Sequence, residues 1–235
     1  MPSLVGSEMC IRERIPELKK VCHAYGVSIN EYLVAVYVWS VYTECMHGMP
    51  SERPVRVAVP VNLRPYFNSI TTKNFFVMVS AEFHPTKEIY TFEEVLKSVS
   101  ESLRSQISRE NLEKLFSYNV SNEKLLAARI VPLFLKNLAM RYVYTTSALA
   151  NTATVTNIGN ISVSEEYRPY VEMFHAFLAM SKGQHLKGTI CSYGDTLVFS
   201  FSYDLTDTSV QRGFFRKIAA DGIAVEIETN GVNYE

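Results

Sequence analysis

From Ile15 onward the apolar and polar positions fall into blocks that read as separate elements. Pro16 to Tyr25 predicts a short helix that Gly26 ends. Ser28-Ile29-Asn30-Glu31 has the spacing of a capping box, in which serine and glutamate side chains each accept a free amide at a helix start. The next stretch, Tyr32 to Tyr42, is apolar on nearly every face, so its period fits a buried helix or a buried strand alike. The cap ahead of it and its length favour a deeply buried helix. Arg56 to Val61 and Phe75 to Phe83 read as strands, with Asn62 to Asn74, which holds Pro65, as the loop between them. The clearest helix follows: Phe92, Val95, Leu96, Val99, Leu103 and Ile107 recur at three- and four-residue steps. Asn111 to Tyr118 and Glu123 to Val143 continue as helical pieces, the second broken or kinked near Pro132.

Strand character returns at Ala153 to Asn157, which runs into Ile158-Gly159, and again at Val171 to Met180, Lys187 to Tyr193 and Thr196 to Tyr203. The last two flank Gly194-Asp195, a hairpin turn in which glycine supplies the unusual backbone angle. Leu197, Phe199 and Phe201 alternate with Val198, Ser200 and Ser202, which predicts one core face and one face towards a polar surface or channel. Thr206 to Ala220 is an amphipathic helix, and Ile223 to Glu228 an edge strand. No repeat or linker interrupts the pattern. It predicts one α/β (α+β) domain, a mixed, largely antiparallel sheet with helices packed on it.

Met1 to Arg12 stands apart, with no helical or strand period and no targeting pattern. Ser3 to Arg12 resembles translated sequencing-adapter read-through, so residues 1–14 are expected to be a non-native leader and 15–235 the domain. Composition narrows the rest. The 235 residues are 47% hydrophobic and 20% charged with a net charge of −1, which excludes disorder and removes the basic patch that nucleic-acid binding needs. The longest apolar run falls well short of the roughly 20 residues of a membrane helix. The four cysteines have no CxxC spacing, which suits buried reduced thiols and a cytoplasmic setting better than disulfides or zinc.

Signatures of phosphate, dinucleotide, zinc-protease and serine-hydrolase chemistry are all absent, and the five histidines are scattered singly. Two segments stand out. Val59-Pro60-Val61-Asn62-Leu63-Arg64-Pro65, with Asn74-Phe75-Phe76 after it, ends a strand in an amide and a bidentate cation; Arg64 reads first as a salt bridge and loop anchor. Thr156-Asn157-Ile158-Gly159 runs a strand into a polar turn where glycine permits close backbone approach.

In order, GVSINEYLVAVYVWSVY, RVAVPVNLR, KNFFVMVSAEF, TVTNIG and SYGDTLVFSFSYD resemble the C-terminal half of the chloramphenicol-acetyltransferase-like superfamily. That group includes condensation domains, wax-ester synthases and alcohol acetyltransferases. The resemblance covers Ser28 to Ala220 and implies one lobe of a two-lobed enzyme, in whose central channel an acyl thioester meets its acceptor. In that family a His-His-x-x-x-Asp motif of the N-terminal lobe is the base. This chain has no His-His pair and no Asp-Phe-Gly-x-Gly motif, so no catalytic residue is assigned and Arg64 lacks its usual aspartate, for which Asp204 is the candidate substitute. Asn62, Arg64, Asn74, Asn157 and Gly159 carry over as cleft architecture, with Thr156 and Ser192 as further polar candidates along the channel.

The resemblance further implies no permanently bound cofactor, acyl-coenzyme A as donor, a small alcohol or amine as acceptor, and a missing N-terminal lobe as partner. The alternative is a non-catalytic binding module, a degenerate lobe completed by a separate chain. It predicts an exposed apolar face and self-association.

Overall fold

A computed structural model describes residues 7–124, 131–181 and 183–229. The elements in chain order are β1 (Ser7–Arg14), α1 (Ile15–Tyr25), α2 (Ile29–Ser40), β2 (Val55–Asn62), α3 (Arg64–Phe67), β3 (Phe76–Phe83), α4 (Phe92–Gln106), α5 (Arg109–Lys124), α6 (Leu133–Leu149), β4 (Ala153–Asn160), β5 (Leu186–Tyr193), β6 (Thr196–Tyr203), α7 (Ser209–Ala220) and β7 (Glu226–Thr229). The strands form one sheet in the order β3-β2-β4-β5-β6-β1-β7. Only the β2–β4 and β4–β5 ladders are parallel, so the sheet is mixed and largely antiparallel, as the pattern predicts.

α2 is the centre of the core. Ser28 accepts the Glu31 amide, and Glu31 accepts the Ser28 amide at 2.7 Å, so the capping box forms as predicted. From Tyr32 to Val38 every side chain is fully buried, because α2 meets α4 on one side, α7 on another and the sheet beneath. Its last carbonyls run on into one turn of π-helix, Val41–Cys45. Tyr37, deep in this contact, donates its hydroxyl to the Leu186 carbonyl at 3.2 Å. On the sheet's inner face Phe199 and Phe201 meet Phe214 and Phe215 of α7, with ring centroids 4.4 Å apart for Phe199–Phe214. Aromatic pairs at such spacings add to their area burial.

β3 forms one edge of the sheet, and α4 covers it with side chains instead of a strand. The Gln106 amide group accepts the Ser80 N–H at 3.1 Å and donates to the Ser80 carbonyl at 2.7 Å. Ser102 accepts the Glu82 N–H and donates to the Ser80 carbonyl, while Ser98 donates to the Glu82 carbonyl. An open edge is a template for unwanted pairing, and this row of bonds closes it. Gln106→Ala removes two of the bonds and is expected to cost about 1–2 kcal/mol. It should also speed hydrogen exchange at the Ser80 amide; unchanged exchange there would show that the glutamine does not close the edge.

The structure departs from the sequence expectations at several places. Residues 7–14, read as part of a leader outside the fold, form β1 between β6 and β7. A ladder is made by backbone groups, so an open edge can recruit residues with no apolar period. Val171 to Met180 is irregular chain, apart from the short 3₁₀ turn Arg168–Tyr170 just before it, and not a strand. Both flanks of β5 are already taken by β4 and β6, so this segment lies across the sheet instead. There Phe174 and Ala176 pack with Ile161 on Cys191 and Val198, and the Cys191 thiol donates to the Phe174 carbonyl. In consequence Val198, Ser200 and Ser202, expected on an open polar face, are buried. Pro132 opens α6, its carbonyl accepting the Leu135 and Lys136 amides; the residues before Val131 that a kinked helix would include lie partly outside the described range. Cys22 and Cys191 are buried, but Cys45 is exposed.

Candidate functional site

Because β2, β4 and β5 run parallel, their carboxyl ends lie at one end of the sheet. That is where open α/β sheets place ligands. The β2–β4 ladder pairs Val57 with Ala153 and Ala58 with Thr154 and then stops, although β2 continues to Asn62 and β4 to Asn160. Pro60 lies just beyond and has no N–H to extend a ladder. The two strands therefore end as separate lips.

The predicted residues divide between these lips. On the first, Arg64 is spent as a staple for the following loop. It donates to the Thr71 carbonyl at 2.9 Å, to the Lys73 carbonyl at 2.6 Å and to Asn62 Oδ1 at 3.2 Å. Its own backbone N–H also reaches Asn62 Oδ1. The anchor forms through carbonyls, without an aspartate. Asp204, the suggested substitute, is held by His185 Nδ1 at 2.9 Å. Asn74 follows the stapled loop and is exposed.

On the second lip Asn157 Oδ1 accepts the Gly159 N–H at 2.8 Å, a local turn that needs the positive φ of 87° at Gly159. The β4–β5 register slips between these two residues, a bulge that turns Asn157 outward. Ser192 donates to the Gly159 carbonyl at 3.4 Å, and Thr156 pairs in register with Thr189. The structure thus brings all seven predicted residues to one end of the sheet, in two groups: Asn62, Arg64 and Asn74, and Thr156, Asn157, Gly159 and Ser192.

Sequence reasoning missed a polar row on the same sheet face, nearer its middle. Lys187 is 7% exposed and faces a cavity of about 700 Å³, which Thr154, Gln184 and Ser181 also line and which Phe76, Met78, Tyr118 and Tyr144 wall. None of the seven predicted residues lines that cavity. Burial pushes the Lys187 ammonium pKa down. Burial also pushes the Cys191 thiol up, which makes it a poor nucleophile. The overlooked signal was Lys187 and Thr189 in register with Ser202 and Ser200, a polar set inside two buried strands. Among the described residues no three His, Cys, Asp or Glu side chains converge as a metal site would require.

Beside this face stands α6. Among the described side chains of residues 131–146 all but Lys136 are exposed, and Phe134, Leu138 and Tyr142 on one stripe are 70%, 67% and 73% exposed. An apolar helix stripe is ordinarily covered. No described helix is long and apolar enough to cross a membrane.

No protein-family model matches the chain, and no curated protein matches it. Solved structures do. The trichothecene 15-O-acetyltransferase of Fusarium sporotrichioides aligns with 92% of this chain and 46% of its own, at a TM-score of 0.60 and 13% identity. Polyketide synthase associated protein 5 of Mycobacterium tuberculosis aligns with 92% and 52%, at 0.56 and 9%. The wax ester synthase/diacylglycerol acyltransferase of Marinobacter aquaeolei VT8 aligns with 92% and 49%, at 0.52 and 14%. The chain has the chloramphenicol-acetyltransferase-like fold and spans about half the length of these proteins.

Proposed function

We propose that this chain is the C-terminal lobe of an acyltransferase that moves an acyl group from a coenzyme A thioester to an alcohol or amine. The observation that supports it is the parting of β2 and β4 towards their carboxyl ends, in a fold that aligns with about half the length of each relative. In the proposed reaction a histidine of the other lobe takes the proton of the acceptor hydroxyl or amine as it attacks the thioester carbonyl. The tetrahedral intermediate collapses, the carbon–sulfur bond breaks, and the thiolate leaves with the proton returned. This lobe contributes no base. Its part is to shape the channel with Thr156 and Asn157 on one side and the Arg64-stapled loop with Asn74 on the other.

The test is the reading frame upstream of Met1. A longer product carrying His-His-x-x-x-Asp should release thiol from acetyl-coenzyme A when given alcohol or amine acceptors, while the 235-residue chain alone should not. A longer product without that motif, or one inert towards every thioester and acceptor offered, overturns the reading.

The exposed stripe of α6 favours a second reading, a non-catalytic lobe completed by another chain. It predicts a longer frame without transfer activity and concentration-dependent self-association of the 235-residue chain.

A further inference from the structure

Lys187 has three N–H donors to place and little water to give them to. Nζ donates to the Ala179 carbonyl at 2.7 Å and to Ser181 Oγ at 2.5 Å, and among the described residues none of its partners is a carboxylate. Its side chain lines the cavity.

A buried ammonium with no carboxylate partner among the described residues is what a carboxylate pairs with. Besides the neutral polar Asn151, Thr154, Ser181 and Gln184, the lining is apolar or aromatic and without charge: Phe76 and Met78 of β3, half-exposed, with Leu115, Tyr118 and Tyr144. Its volume of about 700 Å³ is that of a small-molecule site, within the usual range of roughly 300–1,000 Å³. We propose that this cavity binds an amphipathic monocarboxylate, its carboxylate on Lys187 and its hydrocarbon chain along Phe76, Met78 and Tyr144. An anion there would offset the cost of burying the ammonium, which is what lowers the lysine's pKa. A neutral chain of the same length would gain only the walls.

The proposal goes beyond acyl transfer, since binding requires neither a thioester nor a second lobe. Calorimetric titration of the whole 235-residue chain with octanoate, and separately with octan-1-ol, tests it. Octanoate should bind about ten-fold or more tightly than the alcohol, as charge-assisted bonds to a buried cation imply. Lys187→Met, which keeps the length of the side chain, should bring octanoate down to the alcohol's affinity and leave the alcohol unchanged. If that variant fails to fold, the comparison on the native chain still decides. Equal affinities on the native chain, or octanoate binding indifferent to Lys187→Met, overturn the proposal. Failure of the upstream frame to turn over thioesters leaves it standing, so the two readings fail separately.

Discussion

Replacing Phe214 by alanine should cost about 3–5 kcal/mol, the usual range for deleting a fully buried phenylalanine. Phe214 is fully buried where α7 meets the sheet, and its ring lies 4.4 Å from Phe199, 5.1 Å from Phe201 and 5.9 Å from Phe215. The neighbours cannot collapse into the space it leaves. Phe199 is pinned from the other side by Gly188, whose missing side chain makes room for it: a Cβ there would stand 2.7 Å from the Phe199 ring. Phe201 is stacked on Tyr37 of α2 at 5.9 Å. The cavity therefore persists, and a cavity adds its own cost to the lost transfer free energy. For a domain of this size the loss corresponds to a fall in Tm of roughly 6–20 °C. Thermal unfolding followed by far-ultraviolet circular dichroism measures it. A fall of a degree or two would mean that the helix–sheet contact is looser than the ring distances indicate.

The second large effect belongs to Glu31. Its carboxylate closes the α2 capping box through the Ser28 amide, accepts the Ser100 hydroxyl at 3.0 Å and takes two bonds from the Arg104 guanidinium, at 2.6 Å and 3.2 Å. Arg104 also reaches the Gly26 carbonyl, so one carboxylate ties α1, α2 and α4 together. Burial pushes the Glu31 pKa up, but the bonds from Arg104, Ser28 and Ser100 outweigh it and bring the carboxyl down to about 2, against an ordinary 4.5. The folded value is the lower one. Stability from this group is therefore complete above about pH 5 and is lost as the pH falls through 4 towards 2. Arg104 is open to solvent, which screens its share. Glu31→Ala should then cost about 2–3 kcal/mol at pH 7, from the lost cap and the buried partners it leaves. Denaturant unfolding at pH 7 and pH 3 checks the sign. The native chain should lose more stability between the two than Glu31→Gln does, and equal slopes would show that Glu31 is not the titrating tie.

How much was legible follows from the range of the interactions involved. α2 read correctly because its capping box, Ser28 with Glu31, is settled within four residues, and α4 because its apolar residues recur at helical steps along one face. The β5–β6 hairpin read correctly because Gly194, at a φ of 58°, makes its turn locally. β1 was invisible, since its sequence has no strand period and its pairing is with β6, nearly 200 residues away in the chain. Val171 to Met180 misled for the opposite reason. Its apolar positions are real, but they cover the sheet face and do not pair within it.

The candidate site divides in the same way. Residue type and order were enough to nominate Asn62, Arg64, Asn74, Thr156, Asn157, Gly159 and Ser192, and the parallel strands gather them at one end of the sheet. What each side chain does there depended on neighbours far off in sequence or around a loop. Arg64 finds carbonyls across its own loop, and Asp204 finds His185. Lys187 looked like an ordinary first residue of a strand; it became a buried cation only when β6 and the chain near Ser181 closed around it.

The sequence by itself determined the helices, the hairpin, the apolar core and the kind of fold, because periodicity, caps and turns act over a few residues. Only the tertiary structure decided which polar groups are buried, which of them are already satisfied, and where the strand ends part. Those depend on what packs against each face, and a linear pattern carries no record of the partner.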